Sequence, residues 1–213
     1  MTSTSDVDPQ RPEAREVGVG PHPEPWPEDA RLDPVLLAEG DRRNVVDRYR
    51  YWTVEAIVAE LDTRRHPFHI AIENWQHDLN IGTVVRTANA FLAAEVHIVG
   101  KKKWNKRGAM VTDRYQHVRH HPTPEDLLAF ARSADLIIVG IDNLPGSTSL
   151  DASPLPRNSL LVFGQEGPGL SSMIRPHLDQ CRSIPQFGST RSINAGVAAG
   201  IAMHAWIRTH ALS

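Results

Sequence analysis

Leu161-Val-Phe-Gly-Gln-Glu-Gly-Pro-Gly-Leu-Ser171 is the stretch on which the reading of this chain turns. An apolar run of the kind found in strands covered on both faces leads straight into three glycines, Gly164, Gly167 and Gly169. Glycine lets a backbone turn sharply and come close to a ligand. The spacing is not that of a dinucleotide fingerprint, and the lysine of a phosphate-binding P-loop is absent. What remains is a turn bearing a carboxylate, Glu166, at the carboxyl end of a buried strand, where open α/β sheets bind ligands.

Outward from this turn, short apolar runs alternate with helical patterns. Strands are expected at 68–73, 95–99, 117–120, 136–141, 160–163 and 182–184, and helices at 53–61, 80–92, 124–133 and 192–209. That alternation predicts an α/β fold with a mainly parallel sheet and helices on both faces. No internal repeat is evident.

Two further segments look out of place as packing alone. Asn80-Ile-Gly-Thr-Val-Val-Arg86 opens a helix after a strand and a polar turn. Asn80 suits a helix cap. Arg86 sits among Val84, Val85 and Ala88, where a guanidinium needs an acceptor; a structural salt bridge and a functional anion contact both answer that need. The second segment runs from Ile184-Pro-Gln through Ser192-Ile-Asn194 into a helix of small residues. Ser192 and Asn194 suit capping. Gly196 and Gly200 each cost about 1 kcal/mol in a helix relative to alanine, which makes sense if another backbone passes close.

Composition narrows the class. Of 213 residues, 40% are hydrophobic, enough for one domain with a sizeable core. The single cysteine, Cys181, supports neither a disulfide framework nor a cysteine zinc site, and points to a reducing, cytoplasmic setting. No apolar stretch is long enough to span a bilayer, and the first residues do not read as a secretory signal. Residues 1–47 carry 11 acidic and 5 basic side chains (−6) with seven prolines, and are expected to form a disordered acidic Pro-rich tail. Residues 48–213 carry 14 acidic and 18 basic side chains (+4), and form the expected folded domain with its short N-terminal helix. Between 101 and 121 lie Lys101, Lys102, Lys103, Lys106, Arg107, Arg114 and Arg119 against one acid, Asp113. Such a run attracts a phosphate backbone or is simply a solvated loop. His117, His120 and His121 cluster, but without a cysteine or a helical His-x3-His pattern no metal site is expected; they read as solvated or RNA-facing.

In their order and spacing, the Asn-x5-Arg helix start, the Gly-x-Glu-Gly-x-Gly-Leu-Ser turn, and Ile-Pro followed by Ser-x-Asn and an alanine-rich helix resemble the SpoU/TrmH branch of the SPOUT superfamily of RNA methyltransferases. The resemblance covers roughly residues 68–210, and departs at Ile193, where the family more often has leucine. It implies a C-terminal deep trefoil knot, whose crowding Gly188, Gly196, Ala198, Ala199 and Gly200 would suit. It also implies S-adenosyl-L-methionine bound there by Ile141, Gly164, Ile184 and Ile193.

The activity implied is RNA 2′-O-ribose methylation, on tRNA ahead of rRNA, with a non-catalytic knotted RNA-binding protein as the alternative of another class. Arg86 would be the catalytic arginine. Asn80, Glu166, Ser192 and Asn194 would orient it, the ribose or the fold around them. The family forms homodimers through the last helix, a role that Ile201, Ala205 and Trp206 would fit as well as core packing does. The basic residues Lys101, Lys102, Lys103, Lys106, Arg107 and Arg114, with Trp104 and Tyr115 interleaved for stacking, form the candidate RNA-binding surface. No separate RNA-binding domain is evident, so target choice is expected to rest on residues 51–66, the basic loop or a partner.

Overall fold

In a computed structural model of the protein, which describes residues 18–76, 80–165 and 167–212, seven strands form one sheet. They are β1 (His69–Asn74), β2 (Val96–Gly100), β3 (Val118–His121), β4 (Ile137–Ile141), β5 (Thr148–Ser149), β6 (Ser159–Phe163) and β7 (Gln180–Ser183). Their order across the sheet is β3-β2-β1-β6-β4-β7-β5, and every pairing is parallel. Strands hydrogen-bonded this way need crossovers, which helices supply. The helices are α1 (Pro34–Glu39), α2 (Val54–Asp62), α3 (Ile81–Ala90), α4 (Pro124–Ser133) and α5 (Ala195–His210).

The sheet is buried on both faces because each central strand is apolar at successive positions. Ile70, Ile72, Ile98, Val139, Leu161 and Phe163 face one layer, where α3 contributes Ile81, Val84, Val85 and Ala88, and α5 contributes Ala199, Ala202, Met203 and Trp206. Ala71, Val99, Ile138, Leu160 and Val162 face the other, covered by Leu127, Leu128 and Ala131 of α4. The expected α/β class, parallel sheet and helices on both faces are thus present. The start of α4 is set locally: Thr123 and Asp126 form a reciprocal capping box, with Pro124 in the first turn.

The chain divides into two compact units, Met1–Ile57 and Val58–Ser213. The first differs from expectation. Residues 18–47, read as part of a disordered tail, are ordered, with Leu37 and the Asp41 carboxylate buried. Asp41 is fully buried, and its two oxygens accept from Arg43 Nε at 2.9 Å and Arg43 Nη2 at 2.7 Å, and from the Tyr51 amide at 3.0 Å. Burial alone would raise the Asp41 pKa; the Arg43 and Tyr51 hydrogen bonds outweigh it and hold the group at about 2. Net charge and proline content do not report such a local network, which is why composition misjudged this segment. The two-residue β5 at the sheet edge was not foreseen either.

Candidate ligand cavity and basic surface

Ile141 and Phe163 end neighbouring strands, and beyond them opens a cavity of about 380 Å3. Its floor is the turn after β6. Gln165 and Gly169 exchange two backbone hydrogen bonds, at 3.2 and 3.1 Å, closing the loop, with Gly167 and Gly169 at φ of 96° and 70°. A Cβ added at Gly164 would overlap the Gly169 carbonyl and the Leu170 nitrogen. Only glycine fits there.

The turn is held by carboxylates that sequence reading passed over. Glu73, fully buried in β1, accepts from the Ser171 amide at 2.7 Å and from Trp75 Nε1 at 3.0 Å. Asp142, just past β4, accepts from the Leu170 amide at 2.9 Å. Gln165 reaches sideways, its Oε1 accepting from the Trp75 amide at 3.1 Å. Acidic and amide side chains at the carboxyl ends of apolar strands were the available signal.

The opposite wall comes from the lead-in to α5. Ile184, Ser192, Ile193 and Asn194 line the cavity together with Ile141 and Gly164, so all four residues expected to bind a cofactor meet there. Gln186 and Arg191 also line it, and Gln186 Oε1 is buried without a hydrogen-bond partner among the described residues. Cys181, in β7, does not line the cavity; burial and the Asp142 carboxylate raise its thiol pKa, so it is no activated nucleophile.

The expected helix at 192–209 instead begins at Ala195, because Asn194 is its cap. Asn194 Oδ1 accepts from the Gly196 and Val197 amides at 3.0 and 3.2 Å, leaving Ser192 and Ile193 free to face the cavity. Its other end donates Nδ2 to Asn80 Oδ1 at 2.9 Å. Asn80 stands at the cap position of α3 but makes no side-chain cap bond; it ties α3 to the cavity wall. Gly196 is buried against the Thr83 side chain, not against a passing backbone, and Gly188 has open space around it.

Arg86 corrects the sequence argument about its surroundings. Val84, Val85 and Ala88 are buried, but Arg86 itself is exposed. It makes no hydrogen bond or ion pair with another described residue. It lies six residues along α3 from Asn80, about 9 Å at the usual helical rise. By helical spacing it shares the side of Thr83, which faces Gly196 of α5. Arg86 does not line the cavity, and Glu166 lies outside the described residues.

The basic residues Lys101, Lys102, Lys103, Lys106, Arg107 and Arg114 are all exposed. Their loop is anchored beside the site: Asn74 Nδ2 donates to the Lys101 and Lys103 carbonyls at 2.7 and 2.9 Å. A Cβ on Gly82 would sit 2.7 Å from the Ala109 nitrogen, so the start of α3 presses directly on this loop. Lys106 is paired with Asp113 at 2.8 Å and stands 5.6 Å from the Trp104 ring. Tyr115 is buried, which removes it from the stacking surface. Trp206 is likewise fully buried, donating Nε1 to the Pro156 and Arg157 carbonyls, so it is core; Val197 and Ile201 are the exposed apolar residues of α5.

The three histidines read as one cluster separate. His117 pairs with Asp62 at 2.8 Å, His120 with the Gly100 carbonyl at 2.7 Å, and His121 turns inward to His97 at 2.9 Å. His121 is buried, which excludes the solvated or RNA-facing reading for it.

The parallel α/β sheet thus carries a glycine-floored cavity at two central strand ends and an exposed basic loop beside it. Residues 67–204 match the model of the SpoU rRNA Methylase family, and the chain belongs to that family. It is 35% identical over 141 residues to an uncharacterized tRNA/rRNA methyltransferase of Mycolicibacterium smegmatis, covering 63% of this chain and 44% of the relative. A protein of the same name from Mycolicibacterium gilvum is 31% identical over 151 residues, covering 68% and 47%. The chain thus spans about half the length of the curated relatives it matches. The SpoU methyltransferase AviRb of Streptomyces viridochromogenes, solved in complex with AdoMet, aligns with a TM-score of 0.61 at 26% identity, over 68% of this chain and 58% of that one.

Proposed function

We propose that this protein is an S-adenosyl-L-methionine-dependent RNA 2′-O-ribose methyltransferase, working in the cytoplasm as a homodimer through α5 and carrying a C-terminal trefoil knot. The observation that carries the reading is the convergence of Ile141, Gly164, Ile184 and Ile193 on one cavity in a SpoU-family chain. The residues suit such a cofactor. Gly164 lets the Gly169–Leu170 backbone close against the end of β6 to form the floor, and the unpartnered Gln186 Oε1 offers an acceptor to an ammonium group. When bound, S-adenosylmethionine supplies an electrophilic methyl group.

Arg86 is then the group that acts on RNA. A ribose hydroxyl is a poor nucleophile until its proton leaves or its developing charge is stabilised. A guanidinium is not deprotonated in proteins, so Arg86 serves as an electrostatic clamp on the phosphate and the developing alkoxide, not as a base. Its exposure and its lack of a partner among the described residues leave its donors available to RNA. Asn80 and Asn194 position α3 against the cavity wall, while Ser192 and Glu166 are assigned to orienting the ribose or the loop. The exposed residues from Lys101 to Arg114 bind the phosphate backbone.

The substrate reading is tRNA first. rRNA is the second reading, favoured by the description of the matching family. Mapping 2′-O-methyl positions in total RNA from cells with and without the gene tests both. A position that disappears on deletion and returns with the wild-type gene supports the proposal. An unchanged map, or a change confined to base methylation, refutes it.

A further inference from the structure

At the amino-terminal ends of the strands, away from the cavity, three side chains converge. His69 opens β1, Glu95 directly precedes β2, and His97 lies within β2 on the same face, which α4 covers. The register Ile70↔Val96 sets His69 level with Glu95. His69 Nδ1 stands 3.0 Å from His97 Nε2, and Glu95 Oε2 is 3.9 Å from that same nitrogen. One donor atom from each of the three lies within 4.8 Å of the others.

These spacings bracket a tetrahedral ion. Zinc bonds to nitrogen at about 2.0–2.1 Å and to carboxylate oxygen at about 2.0–2.2 Å, which places neighbouring donor atoms roughly 3.3–3.5 Å apart. Closing the shell shortens the Glu95–His97 separation of 3.9 Å by about 0.5 Å and lengthens the His69–His97 separation of 3.0 Å by about 0.4 Å.

The outer partners are in place as well. His97 Nδ1 is 2.9 Å from His121 Nε2, so the ring nitrogen turned away from the ion has its own partner. Glu95 Oε1 accepts from Arg119 Nε at 2.9 Å. Metal-ligating imidazoles and carboxylates are commonly oriented by such second contacts. The Phe130 ring covers the group, with centroids 4.6 Å from His97 and 5.7 Å from His69. Glu95 Oε2 accepts no hydrogen bond among the described residues, and 3.9 Å to His97 is too long for one. The Glu95 side chain is 15% exposed, so this oxygen is open to water or to a bridging cation.

We propose that His69, Glu95 and His97 form a zinc site, completed by water, that ties the amino-terminal ends of β1 and β2. Two imidazoles and one carboxylate are a donor set suited to zinc. The rival account is a chain of neutral imidazoles sharing hydrogen bonds from His69 through His97 to His121 with no ion involved.

The test uses the whole chain without an affinity tag, stripped by a chelator, then titrated calorimetrically with zinc. X-ray absorption of the zinc-loaded wild type reads the shell directly. We expect one zinc per chain, a shell containing two imidazole nitrogens at about 2.0–2.1 Å, and a melting temperature that rises with zinc. His69→Gln and Glu95→Gln, verified as folded by circular dichroism, should each weaken binding at least about tenfold. His117→Gln should leave it unchanged. Absence of zinc binding, a shell with fewer than two imidazoles, or full affinity retained in both ligand variants overturns the proposal. The absorption measurement stands even if both variants fail to fold. No arm depends on methyl transfer, so this proposal and the methyltransferase reading fail separately.

Discussion

Gly164→Ala isolates what the glycine turn contributes. The new Cβ would overlap the Gly169 carbonyl and the Leu170 nitrogen, so that strand of backbone must move. It is pinned on both sides: the Gln165–Gly169 pair closes the loop, Asp142 holds the Leu170 amide at 2.9 Å, and Glu73 holds the Ser171 amide at 2.7 Å. Overpacking alone costs about 1–3 kcal/mol. Stretching one of the carboxylate bonds past its useful range adds about 1.5–3 kcal/mol. A destabilisation of about 2.5–6 kcal/mol follows, which at roughly 2–4 °C per kcal/mol lowers the melting temperature by about 5–24 °C. Thermal unfolding followed by circular dichroism reads this, and calorimetric titration with S-adenosylmethionine reads the deformed cavity floor through lost affinity. A variant that melts within about 2 °C of wild type and binds the cofactor equally well would refute the close-approach argument.

Asp41 gives a pH test of the first unit. Its pKa of about 2 lies below that of an unfolded aspartate, so its stabilisation is present above pH ~4 and is lost as pH falls towards 2. Asp41→Asn should cost about 2 kcal/mol at neutral pH, seen as faster exchange of the Tyr51 amide, and the difference from wild type should vanish near pH 2. Asn194→Ala removes the α5 cap and the Asn80 contact together. A loss of about 1–2 kcal/mol is expected, with methyl transfer falling further than stability explains. Lys102→Ala with Lys103→Ala should weaken binding to all RNA sequences alike, and should reduce the slope of log affinity against log salt by about 1.5; an unchanged slope would remove these lysines from the RNA surface.

Much of the architecture was legible because strand and helix leave different apolar periods. The range 124–133 coincides with α4, since Thr123 and Pro124 mark its start chemically. The cavity, too, was legible in outline: glycines at the end of an apolar strand and a polar lead-in to the last helix are local signals, and the fold brings them together. The contacts that hold the site were not. Glu73 with Ser171 and Asp142 with Leu170 join residues far apart in the chain, and no local pattern announces them. The same limit explains Arg86, where helical neighbours in sequence suggested an apolar setting, although the side chain points off the buried face. It explains the histidines as well: proximity in sequence grouped His117, His120 and His121, whereas strand register groups His69, His97 and His121.

The most direct test of the account is transfer of a tritiated methyl group from S-adenosylmethionine to RNA by the purified protein, with the label located after alkaline hydrolysis. Wild type should place the label in alkali-resistant dinucleotides, as a blocked ribose requires. Arg86→Lys should lose nearly all transfer while still binding the cofactor, because lysine keeps the charge but not the planar fork. Label on a base, or near-wild-type turnover by Arg86→Lys, would contradict it.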